Sequence, residues 1–282
     1  MYLLLSVLAS TAILLVFRWI PALGASTRHT ILVSYVFSAL AGSLAFGLPD
    51  ALLSQPWFWA AALEGMAFYL VFRMIAITTQ VNGVAVASIV TKLSVVIPVG
   101  VGFLYFGESA GVLKLLGMAL GVLAIGLSAG VASGRGFWLW PVLAFVGSGC
   151  IDASFKLFQA WGVTENQFPP LITTIFGFAF LSALLHHVVC RDRKIAVSSL
   201  QAGCVLGLAN FCTVYFLMLA LAQPGWESTL VYAVNNLGVV ATATFAALLF
   251  FGERPGRPVL FGLALSLIAI ALLFVDSRLP FA

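Results

Sequence analysis

The sequence predicts an all-α integral membrane protein, with ten transmembrane helices arranged as two inverted five-helix repeats. Three observations predict it. Of 282 residues, 62% are hydrophobic and only 8% charged, with a mean hydropathy of +1.14, whereas soluble domains carry about a quarter charged residues. Proline, glycine and charged breaks divide the chain into apolar runs close to the ~20 residues that cross a bilayer as a helix. An aromatic-Gly-Glu turn, Phe106-Gly107-Glu108, returns 145 residues later as Phe251-Gly252-Glu253.

Taken in order, the first run covers residues 2–20 and stops at Pro21. No basic residue precedes it, and Arg18 and Arg28 come at and after its end, so it reads as a retained span rather than a cleaved signal. The second, 28–47, ends before Pro49, and the third, 56–79, before Asn82-Gly83. The fourth, 83–106, holds a mid-helix Pro98 and ends at Gly107-Glu108; the fifth, 110–131, ends at Ser133-Gly134. The sixth to tenth cover 137–160, 167–190, 198–222, 226–251 and 257–275, with breaks at Glu165-Asn166, Arg191 to Lys194, Gln223-Pro224-Gly225 and Arg254-Pro255-Gly256. In hydrocarbon an open chain has to satisfy its backbone within each segment, which makes every run a helix.

The 145-residue shift also aligns Gly117, Leu120, Ala124 and Ile125 with Gly262, Leu265, Ala269 and Ile270. A second register sets Ser10, Phe17 and Arg18 of the first run on Ser148, Phe155 and Lys156 of the sixth. The repeat boundaries are therefore 1–132 and 133–282. Five spans per repeat is odd, so the two Gly-Glu turns fall on opposite faces and one half is inverted on the other, an arrangement found in secondary transporters.

The formal net charge of +4 does not indicate nucleic acid, because Lys and Arg stand singly between apolar runs. Orientation explains them better. The odd-numbered loops carry Arg18, Arg28, Arg135, Arg191, Arg193, Lys194, Arg254 and Arg257, while the opposite face has Lys114 and Arg278. This bias makes the odd-numbered loops cytoplasmic and puts both termini outside a cell membrane, with a bacterial inner membrane expected. Cys150, Cys190, Cys204 and Cys212 lie in or beside apolar runs without metal-ligand spacing and read as small hydrophobes. No metal or cofactor is expected.

Ten spans in two halves, each with an aromatic-Gly-Glu turn before its last helix, resemble the EamA family of the drug/metabolite transporter superfamily. The stretch Asn82 to Glu108, with its small residues, Pro98 and Gly-Glu turn, carries the resemblance best. It implies a transporter, an exporter or exchanger of small organic metabolites such as amino acids, working by alternating access around a midplane cavity lined by spans 1, 3, 4, 6, 8 and 9. It also implies that the last helix of each half sits at the periphery. Ala243 stands where Pro98 maps, so the halves are not expected to be functionally equivalent. The partners are a small-molecule substrate and the lipid bilayer, with a proton as candidate coupling ion; monomer and homodimer both fit.

Charges inside spans are functional candidates because burying them in hydrocarbon is expensive. Glu64 and Lys92 each lie about nine residues from a span end, near the midplane at ~1.5 Å per residue. They read as an ion pair or as two poles of a binding site. Asp152 and Lys156 share a helix face at i, i+4, either neutralising one another or presenting a carboxylate whose proton exchanges during the cycle. Asn210, Asn235 and Asn236 need partners in apolar surroundings, from a neighbouring helix or a ligand. Tyr69 and Tyr232, with Trp226, are pocket candidates, although belt or lipid-facing positions also suit them. Arg73 reads as an interfacial anchor, as do the adjacent His186 and His187.

Other residues read as structural. Gly107 with Glu108 and Gly252 with Glu253 end a helix in a left-handed turn and set a carboxylate at the start of the next one. Gly117 with Gly121, and Gly262 with Ser266, form small-xxx-small packing faces. The rival classes are a membrane-embedded enzyme and a non-transporting membrane protein. The sequence has no HExxH, and Val146 spoils a GxSxG at Val146 to Cys150, so the chain is not read as an enzyme.

Overall fold

The structure is a computed structural model and describes residues 1–47, 52–106, 111–129, 138–190, 195–223, 228–253 and 256–276. Gly107, Glu108 and Trp226 lie outside the described residues. Among those described there are eleven α-helices, two short 3-10 turns and no strand. The helices are α1 (Tyr2–Trp19), α2 (Thr27–Phe46), α3 (Phe58–Asn82), α4 (Val84–Leu93), α5 (Val96–Phe106), α6 (Val112–Ala129), α7 (Leu139–Ala160), α8 (Phe168–Val189), α9 (Val197–Leu221), α10 (Ser228–Phe251) and α11 (Arg257–Asp276). Eight helical stretches are long and apolar enough to cross a membrane, one of them running through α4 into α5 over Val84–Val101. The apolar cores of α6 and α11 are shorter, Leu115–Ala124 and Leu260–Leu272.

Each apolar run of the sequence coincides with one helix, except the fourth, which divides into α4 and α5. Pro98 is the cause. It has no N–H to bond the Ser94 carbonyl, and its ring crowds that same carbonyl four residues back. The Ser94 carbonyl takes the Ile97 N–H instead, at 2.9 Å, and the chain makes a turn at Ser94-Val95 before α5 starts. Ala243 at the matching position leaves α10 unbroken over 24 residues.

The helices pack mainly across the two halves of the sequence. The most extensive contacts join α6 to α11, α2 to α9 and α8, α3 to α8 and α7, and α1 to α9 and α10. Close approach depends on glycine at two of these crossings. A side chain at Gly207 in α9 would collide with the Ser34 carbonyl of α2, and one at Gly65 in α3 with the Ile175 carbonyl of α8. The small faces do pack: Gly117, Gly121, Gly262 and Ser266 are all buried, with Gly121 against Val96 and Leu93.

Candidate functional site

Where α1, α3, α4, α7 and α9 converge they line a partly open cavity of about 110 Å³. The space admits several waters or a small organic solute. Its walls are partly apolar, with Phe68 and Phe72 from α3 and Phe155 from α7. Lys92 and Asp152 supply a cation and an anion that interact electrostatically, and Ser94 Oγ lies 3.4 Å from Asp152 Oδ2.

The remaining polar wall is notable for what it leaves unbonded. The residues Ser10, Ser148, Asn210 and Thr213 line the cavity, while their Oγ, Oγ, Nδ2 and Oγ1 atoms are buried with no hydrogen-bond partner. An unmet buried donor costs about 1–3 kcal/mol. Among the unpartnered buried polar atoms of the described residues, these four are the ones gathered around this space. Ser10 of α1 and Ser148 of α7, which one register of the sequence aligns, both stand at this site.

Lys92 is held in place from behind. It stands at the end of α4, where the break before Pro98 interrupts the helical ladder. Asn236 Nδ2 of α10 donates to the Lys92 carbonyl at 2.9 Å, and Ser94 Oγ donates to the Thr91 carbonyl at 2.5 Å. Tyr232, one turn before Asn236, donates to the Asp152 carbonyl at 3.2 Å. Helix α10 thus fixes the backbone of both charged residues without lining the cavity.

Of the residues singled out in the sequence, Lys92, Asp152 and Asn210 line the cavity, and Tyr232 and Asn236 support it. Asn235 is buried with its Oδ1 unpartnered. Glu64 is buried outside the cavity lining, one turn along α3 from Phe68, with its Oε1 unpartnered. The charge facing Lys92 across the cavity is therefore Asp152. Lys156, one turn beyond Asp152, does not line the cavity. Neither does Tyr69, whose hydroxyl lies 2.7 Å from His186 Nδ1, with Arg73 at 3.5 Å from Nε2 of the same ring.

The reading of Glu253 needs correcting. Gly252 has φ of +59°, as its turn requires, and the Glu253 N–H returns to the Ala247 carbonyl at 3.2 Å. The carboxylate does not serve α11. It accepts the Val84 N–H at the start of α4, 3.1 Å from Oε2, and pairs with Arg18 Nε at 2.9 Å. Gly83 makes room for it: at φ +90°, a Cβ there would stand 2.9 Å from Glu253 Oε2.

No protein-family model matches the chain. Over 228 residues it is 27% identical to an uncharacterized protein of Haemophilus influenzae, which covers 76% of this chain and 75% of that one. A solved crystal structure superposes with a TM-score of 0.63 at 15% identity, over 97% of this chain and 99% of its own. The helical arrangement described above is one already seen in an experimentally determined protein.

Proposed function

We propose that the chain is a secondary transporter, an exporter or exchanger of small organic metabolites such as amino acids, of the EamA type. It works by alternating access between two inverted repeats of five spans. The observation that carries this reading is the cavity at the helix crossing, walled by both halves, with Lys92 and Asp152 half-buried in its wall and four unbonded polar groups around it. A structural core would pair such groups; a site that must receive and release a solute leaves them for it.

The packing supports the repeat. Exchanging the halves, α1 for α7, α2 for α8, α3 for α9, α4 and α5 for α10, and α6 for α11, turns the α2–α9 contact into α8–α3 and α1–α9 into α7–α3. It turns α1–α10 into α7 against α4 and α5. Counting α4 and α5 as one broken span, and α6 and α11 as spans, makes ten. An odd number per half then inverts one half on the other.

The test is flux of a metabolite panel, amino acids foremost, into proteoliposomes holding the purified chain. Lys92→Met and Asp152→Asn are expected to abolish or strongly lower flux of whichever solute the parent carries. No flux from the parent across the panel, in protein shown to be folded, defeats the reading.

A further inference from the structure

At one end of the bundle, five helices are tied by a single polar knot. Arg18, at the end of α1, pairs with Glu253 at 2.9 Å and donates to the Gln80 carbonyl of α3 at 3.0 Å. Gln80 Nε2 donates to the Phe17 carbonyl at 3.2 Å and to Thr27 Oγ1 at 2.8 Å. Glu253, just past α10, receives the first N–H of α4. Three of these helices, α1, α3 and α4, wall the cavity.

Between the knot and the cavity lies a thin apolar seal. Leu14 belongs to both the cavity wall and the buried cluster that it forms with Val7, Val84, Ala87, Val239, Ala243 and Ala247. Arg18 is one turn beyond Leu14, and the eight residues from Val84 to Lys92 span about 12 Å at ~1.5 Å per residue. Three of the cluster's seven members are alanines, so the helices meet there partly through small side chains. The polar links above it add directional bonds to that apolar contact.

We propose that the Arg18–Glu253 pair, together with the α4 amide it caps and the Gln80 carbonyl, is a latch that holds one mouth of the cavity shut and parts when the cavity opens there. The inference rests on the transport reading. The chemistry suits a reversible closure. Both charges lie at a partly exposed rim, where an ion pair is worth little net because each partner is well hydrated once separated. The pair biases the closed state without trapping it, as an element that alternates between two populated states requires. Its links join residues distant in sequence across α1, α3, α4 and α10, so movement of the halves strains them together.

The test is thiol accessibility in sealed vesicles of known sidedness. Cys150, Cys190, Cys204 and Cys212 are replaced by Ala, and Ser10→Cys reports on the cavity through its labelling rate with a small membrane-impermeant methanethiosulfonate added at the latch face. Arg18→Gln, which leaves the carboxylate on α4, and Glu253→Gln are each expected to raise that rate about fivefold. Arg18→Lys should restore most of the slow rate, and the double variant should go little further than either single one, because both remove the same link. Labelling that answers to neither substitution, in variants with parental melting temperature, overturns the latch whatever flux measurements give. Absence of flux alongside the expected labelling response overturns the transport reading and leaves the latch in place.

Discussion

Asn235 and Asn236 are neighbours in one helix, alike in type and buried to 1% and 2% exposure, yet the structure assigns them opposite energetic roles. Asn236 Nδ2 donates to the Lys92 carbonyl at 2.9 Å. Asn236→Leu keeps the volume, removes the donor and strands a carbonyl at the end of a helix that Pro98 has already interrupted. A stranded buried acceptor costs about 1–3 kcal/mol, and polar links between membrane helices average nearer ~0.6 kcal/mol with a maximum of ~1.7. About 1–2 kcal/mol is therefore expected, with melting temperature in detergent falling by roughly 2–8 °C at about 2–4 °C per kcal/mol for chains near this size. Asn235 Oδ1 has no partner in the structure, so Asn235→Leu removes an unsatisfied atom and should leave melting within about 1–2 °C of the parent. Since both variants gain the same hydrophobicity in the same helix, their difference isolates the hydrogen bond. Equal shifts, or a larger loss at 235, would refute the capping role of Asn236.

Further outcomes follow from the same geometry. Ser148→Ala and Asn210→Val delete unpartnered polar atoms, so melting temperature should hold or rise while flux or solute affinity drops; a fall in stability without a change in transport would show that the cavity is ordinary core. Lys92→Met leaves Asp152 facing an apolar side chain in the cavity wall; melting should fall, and Lys92→Met with Asp152→Asn should recover most of the loss, a double-mutant cycle that checks the pairing. Gly207→Leu drives a side chain into the Ser34 carbonyl and should lower melting by more than the ~1–3 kcal/mol of ordinary overpacking. Pro98→Ala lets α4 and α5 rejoin and is expected to raise stability, by up to about 3 kcal/mol, while lowering flux; circular dichroism and flux read the two effects separately.

The positions of the helices were legible because the forces that set them are local: hydrocarbon demands an apolar run, and Pro, Gly or charge ends it. Pro98 was equally visible, and so were Lys92 and Asp152, since a charge inside an apolar run stands out. Their pairing was not. It depends on how α4 faces α7, and Glu64 on α3 lay at a comparable depth. The orphaned hydroxyls were hidden for a different reason. A Ser or Thr in a helix commonly bonds a carbonyl three or four residues back, as Thr78 does to Met74, Thr79 to Ile75 and Thr91 to Ala87. Sequence does not separate these self-satisfied groups from Ser10 and Ser148, whose only signal was the register that aligns one with the other. Glu253 announced a turn, but its target, the start of α4, lies 169 residues away in the chain.

The two halves differ where the site needs them to differ. Under the 145-residue shift Pro98 falls on Ala243, Lys92 on Leu237 and Thr91 on Asn236. The proline breaks its span and thereby places Lys92 in the last turn of a helix, where the negative end of the helix dipole favours a cation. The same break frees carbonyls of α4, and it is the other half, through Asn236, that supplies a donor to Lys92. Ala243 keeps α10 continuous, which makes it a straight support for Tyr232 and Asn236 rather than a second broken span. The divergent positions thus work as a set: one half carries the charge and the break, and the other carries the amide that the break requires. A chain with proline in both halves would have two broken spans and no intact helix to hold either charge-bearing backbone in place.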